Sequence, residues 1–165
     1  MKKIFMATLV ASAFAATPAM AATNTADFPI TGTVTASCGA ITGETLAFGE
    51  IGLNADGTLA TNQSKTSSSQ GVYCNGGAPT ITVTSTNLLT AVAAPADAGS
   101  FTKTLHFTAD VNFAGTHYLA SASPQALGGA TSGSMTVTTG NLTATAKPYA
   151  GAYTGLIQVT LTPGA

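Results

Sequence analysis

The chain reads as an all-β protein, an antiparallel sandwich or barrel, on three observations. Thirty of its 165 residues are threonine, a β-branched residue that favours pleated surfaces. Apolar and polar residues alternate with period two in one segment after another, as half-buried strands do. Turn signals such as Asp56-Gly57, Gln70-Gly71 and "NGG" at Asn75 recur at short spacing, with no helical pattern beyond the N-terminal stretch.

That stretch is read as a targeting segment. Lys2-Lys3 precede the apolar run "IFMATLVASAFAAT", and "PAMA" places small residues at Ala19 and Ala21. This is the pattern of a secretory signal peptide over residues 1–21, cleaved after Ala21. The run is too short for a membrane span and polar sequence follows it at once. Residues 22–29 then form a short lead, and residues 30–165 one β domain.

The mature chain keeps 165 − 21 = 144 residues, enough for one domain with a core. It holds three lysines, no arginine and six acids, a net charge of about −3. Nucleic acid and direct membrane insertion are therefore not expected, since neither basic patches nor spans are present. Charged residues make up 7% of the chain, against about 25% in ordinary soluble domains. Such a surface suits packing into an assembly or matrix. Cys38 and Cys74 are the two cysteines, and in an exported chain they predict one disulfide; two buried free thiols are the alternative.

The strands are expected in this order. Ile30, Gly32, Val34, Ala36 and Cys38 alternate with threonine and serine. "TLAFGEI" turns Leu46 and Phe48 inward. Residues 54–71 form a polar surface loop with strand in its middle. "VYC" brings Cys74 beside Cys38, and "PTITVTST" alternates Ile81 and Val83 with threonine. "FTKTLHFTADVNF" is the longest pattern, with Phe101, Leu105, Phe107, Ala109, Val111 and Phe113 on one face. After "AG", "THYLAS" pairs back as a hairpin. "SMTVT" and "NLTATA" make a second hairpin around "TGN". The terminal strand places Tyr153, Gly155, Ile157, Val159 and Leu161 on one face. The total is about seven or eight strands.

Little in the sequence serves catalysis. Gly-x-Ser-x-Gly, His-Glu-x-x-His, Cys-x-x-Cys and phosphate-loop patterns are all missing. His106 and Asp110 share a predicted strand face and are the one pair that chemistry could use; His117 lies beside a turn. Solvated side chains, no enzyme, no metal and no cofactor are the expectation. Asn62 and Asn141 begin glycosylation-type triplets of the kind common by chance in threonine-rich chains. A small membrane barrel is disfavoured by short strands, no tryptophan and threonine-rich outer faces.

A signal peptide, a strand ending in "TASC", "LAFGEI", a second "VYC" and a closing "AGAYTGLIQVTLTP", in this order, resemble the chaperone–usher pilin subunits. The likeness is to the archaic type and the related spore-coat-protein-U-like secreted domains. The resemblance implies an immunoglobulin-like sandwich that lacks its final strand. It implies that Cys38 and Cys74 are the family disulfide, and that Tyr153, Ile157, Val159 and Leu161 lie on the strand bordering the gap. It makes the segment from Ala22 the donor, with Ala22, Asn24, Ala26, Phe28 and Ile30 as its alternating set. Donation otherwise borrows from the run Ile30 to Val34. The implied partners are other copies or related pilin subunits, a periplasmic chaperone and an outer-membrane usher. The expected role is a structural subunit of an extracellular fibre or coat, serving adhesion or biofilm formation. The alternative is a self-contained secreted module binding carbohydrate through loops 54–71 and 121–134.

Overall fold

The computed structural model describes residues 26–93 and 98–164. The signal segment, Ala22 and Asn24 lie outside the described residues. The chain divides after Thr33. In the first unit, residues 26–33 carry no strand, and Phe28 and Ile30 are 85% and 97% exposed.

The second unit is all-β. Its strands are β1 (Lys65–Thr66), β2 (Gln70–Cys74), β3 (Thr80–Thr90), β4 (Phe101–Thr102), β5 (Thr104–Leu105), β6 (Ala109–Phe113), β7 (Thr116–Leu119), β8 (Gln125–Ala126), β9 (Thr131–Thr139), β10 (Lys147–Pro148) and β11 (Tyr153–Thr162). Six have four residues or more; five are two-residue pieces. One short 3-10 turn, Ala98–Ser100, precedes β4.

Two antiparallel sheets form a sandwich. The first runs β1-β9-β6-β7, with β2 also on β9; the second runs β11-β3-β5, with β8 also on β3. A small parallel pair, β10 and β4, stands apart. The inward residues of both sheets meet in one core. Val72, Ala109, Val111, Phe113, Tyr118 and Met135 come from the first sheet, and Ile81 and Val83 from the second. A second cluster joins Leu88, Leu105 and Leu142. Burial alternates along β6 as the sequence pattern demands, with Ala109, Val111 and Phe113 buried and Asp110 and Asn112 partly exposed.

Four strand expectations need correction. Residues 30–38 form no strand; only Cys38 bridges to Cys74. Alternation sets which way side chains point, whereas a ladder also needs a neighbouring edge. From Val34 on, the stretch finds mainly the Asn75 side chain. That side chain accepts from the Ser37 N–H at 2.6 Å and donates to the Thr35 carbonyl at 3.3 Å. "TLAFGEI" likewise forms no strand, although Leu46 and Phe48 are half-buried as expected.

The long 101–113 run is not one strand. Its Thr104–Leu105 part pairs with β3 in the second sheet, while its Ala109–Phe113 part pairs with β7 and β9 in the first. The 141–146 segment does not pair back onto β9, because β2 and β6 already hold both edges of that strand. Thr143 instead exchanges backbone bonds with His106 at 2.8 Å. The hairpin of β6 and β7 does form, turning through Ala114 and Gly115 at φ 51° and 86°.

Candidate functional site

The site is a groove along β11. This strand pairs on one edge with β3, from Tyr153↔Thr90 to Leu161↔Ile81, with a bulge between Thr154 and Leu156. Among the described residues no strand pairs its other edge. Beside that edge lies a cavity of about 1290 Å³. Its far wall is the non-strand segment 41–51, which contributes Ile41, Leu46, Phe48 and Ile51; Phe107 and Val137 lie at its base.

The inward face of β11 is incompletely covered. Ile157, Val159 and Leu161 pack against the main core but stay half-buried, whereas Ile81 and Val83 opposite have no exposed surface. Full burial of a large aliphatic side chain contributes roughly 1.5–3 kcal/mol. The uncovered part of three such side chains, no more than about a third of each, therefore withholds at most roughly 3 kcal/mol from the isolated domain. The unpaired N–H and C=O groups of the same edge form a template for a further strand.

An aromatic cluster closes one end. Phe101 and Tyr149 stack with centroids 5.3 Å apart. The Tyr153 hydroxyl donates to the Tyr149 carbonyl at 2.9 Å, and burial raises its pKa above the ordinary 10.0. The Tyr149 hydroxyl is buried with no hydrogen-bond partner among the described residues. Among the described residues that line the groove, Glu44 and Glu50 are charged and none is basic.

The sequence-predicted site residues fall as follows. Cys38 and Cys74 are joined. Tyr153, Ile157, Val159 and Leu161 all lie on β11, and the first three line the groove. Ala26, Phe28 and Ile30 are exposed and outside any strand. With Val34, also 85% exposed, Phe28, Ile30 and Gly32 form an alternating run whose three large apolar side chains face water.

The pair of Asp110 with His106 is not formed. The β6–β7 register places His117 opposite Asn112, and the His117 Nδ1 meets Asp110 Oδ2 at 2.7 Å instead. Among the described residues no three His, Cys, Asp or Glu side chains converge as metal ligands. Loop 54–71 contains β1 and the start of β2, and loop 121–134 contains β8 and the start of β9. Sequence reasoning missed Phe107, Val137, Phe101 and Tyr149 as groove residues. The inward alternation of Phe101 and Phe107 was the available signal. It also missed Gln70 and Glu44, whose side chains hold the far wall.

No protein-family model matches the chain, and no curated protein matches it significantly. Among the described residues no helix is long and apolar enough to cross a membrane.

Proposed function

We propose that the chain is an exported structural subunit of an extracellular fibre or coat, completed by a strand from a second copy or a related subunit. One observation carries this reading: β11 has an unpaired edge and a half-covered inward face beside an apolar groove. Strand addition to a free sheet edge supplies backbone bonds along the edge and pockets for alternate side chains.

The run Phe28–Val34 suits the groove in length and chemistry. The stretch of β11 that lines the groove, Tyr153–Val159, has seven residues, as does Phe28–Val34, and seven strand residues span roughly 24 Å. Phe28, Ile30 and Val34 would cover Ile157 and Val159, with Gly32 among them. Pro29 has no N–H to donate. The backbone edge of 28, 30, 32 and 34 is therefore the one that pairs with β11, and the edge carrying Pro29 faces segment 41–51. This moves the donor register four to six residues beyond the set Ala22 to Ile30. A subunit with an open groove needs a holding partner before assembly, the role of the periplasmic chaperone and outer-membrane usher. Surface adhesion or biofilm formation is the resulting service.

The test is assembly. Purified mature chain is expected to form concentration-dependent oligomers that Ile30→Asp abolishes while the monomer's melting temperature holds. Suppose the chain stays monomeric at every concentration and an added copy of the run leaves its melting unchanged. The groove then belongs to another occupant, an apolar ligand held by a self-contained module.

A further inference from the structure

Segment 40–51 has firm ends and a middle held by no backbone ladder, with Ile41 resting on the main core cluster and Phe48 and Ile51 on the second. At one end Cys38 is bonded to Cys74 and the Gly39 N–H donates to the Tyr73 carbonyl at 2.7 Å. At the other end Gly52 is held by Gln63, whose Oε1 accepts its N–H at 2.7 Å, and by the Ala60 N–H at 2.9 Å. Between them, no backbone–backbone hydrogen bond joins residues 40–51 to another described residue.

Two side chains do that work instead, Gln70 reaching from β2 and the segment's own Glu44 reaching out. The Gln70 carboxamide imitates a strand partner for Thr42: Oε1 accepts the Thr42 N–H at 2.8 Å and Nε2 donates to its carbonyl at 3.2 Å. The Glu44 carboxylate accepts from the Ser68 N–H at 2.8 Å and from its hydroxyl at 2.6 Å. All these bonds are solvent-exposed. Water competes for exposed bonds of this kind, so they open easily.

We propose that residues 40–51 are a latched strap over the groove, with Gln70 and Glu44 as its two latches. When the latches open, the strap swings and admits an incoming strand. It then presents its own free backbone edge to that strand, opposite β11. This accounts for the strand-like alternation of "TLAFGEI" in a segment that forms no strand alone: no partner strand stands beside it among the described residues. The inference rests on the strand-acceptor reading of the groove and adds a control on it.

The experiment uses the mature chain and two variants, Glu44→Ala and Gln70→Ala, with limited chymotrypsin cleavage after Phe48 mapped by mass spectrometry. A second readout is the rate at which a fluorescent synthetic peptide of residues 26–36 binds. In the free protein each variant is expected to raise the Phe48 cleavage rate about fivefold or more, with melting lowered only slightly. Both variants are expected to speed peptide uptake, and bound peptide is expected to protect Phe48 in every form. Unchanged Phe48 cleavage in both variants overturns the latch whatever the peptide does. If the peptide binds the parent chain and the variants at one rate, the latch falls and the strand-acceptor reading stands. If cleavage rises in the variants and the peptide binds none of the three proteins, the strand-acceptor reading fails, and with it the strap's role in admission. Using two variants keeps the test intact if one of them misfolds.

Discussion

Val159 of β11 stands directly opposite Val83 of β3, yet Val83 has no exposed surface and Val159 is only half-buried. Paired residues on one face of one sheet share the core beneath them, so the asymmetry comes from the side. Val83 has strands near it on both edges of β3, whereas β11 has one neighbour.

The first prediction follows from that asymmetry. A linker and a copy of residues 22–34 added after Ala165 should fill the groove in cis. Covering the exposed parts of Ile157, Val159 and Leu161, burying Phe28, Ile30 and Val34 and adding backbone bonds along β11, less the ordering entropy of the added strand, should net about 3–5 kcal/mol. Melting should rise by roughly 10–20 °C, checked by calorimetry. The same extension carrying Ile30→Asp should lose most of that gain.

Replacing both cysteines by serine should lower stability by about 4 kcal/mol, from the 36-residue separation that the bond closes. Denaturant melts of the double variant measure it. Reducing the parent chain should reproduce the loss, and thiol titration before reduction should find no free thiol.

Acid should loosen the far wall of the groove. The Ser68 hydroxyl and N–H hold the Glu44 carboxyl below its usual 4.5. A carboxyl with a depressed folded pKa stabilises the fold above its unfolded value and loses that contribution as pH falls through the folded value. The contribution of Glu44 is thus complete above about pH 4.5 and fades below it. Chymotrypsin is inactive there, so pepsin cleavage near Leu46 and Phe48 is the readout. The step with falling pH should vanish in Glu44→Gln.

Gly76→Ala should cost about 1–3 kcal/mol. A Cβ at Gly76 would meet the backbone of Gly164, and one at Gly164 would meet the backbone of Ala78, so two chain segments pass with no room for a side chain. Gly71→Ala, with open space around it, is the control and should leave melting unchanged. Thermal melts of the two variants decide it.

Much of this was legible in the sequence because alternation reports which face a side chain takes. Tyr153 to Leu161 were readable for that reason, while the cysteine pair was readable from two cysteines in a chain with an export signal, and the Phe113–Thr116 turn from Ala114-Gly115. Alternation does not report the partner. The 101–113 run keeps its period while the chain passes from the second sheet to the first, so one pattern conceals three strands, β4, β5 and β6. Asp110 and His106 share a face by spacing, but cross-strand register, set by the Ala114-Gly115 turn, brings His117 to Asp110. The groove was legible only as an expectation, because it is bounded by residues far apart in sequence, such as Phe48, Phe107 and Tyr153.

The anchorage of residues 34–39 has a mechanical consequence. Tension entering through Val34 reaches a covalent bond at Cys38 within four residues. It passes into β2, which is laddered along its length to β9. Tension leaving through β11 is spread as shear over the nine paired positions with β3, which must yield together and not one at a time. A load drawn along this path bypasses the strap entirely, so the element that admits a partner need not be the element that bears the pull.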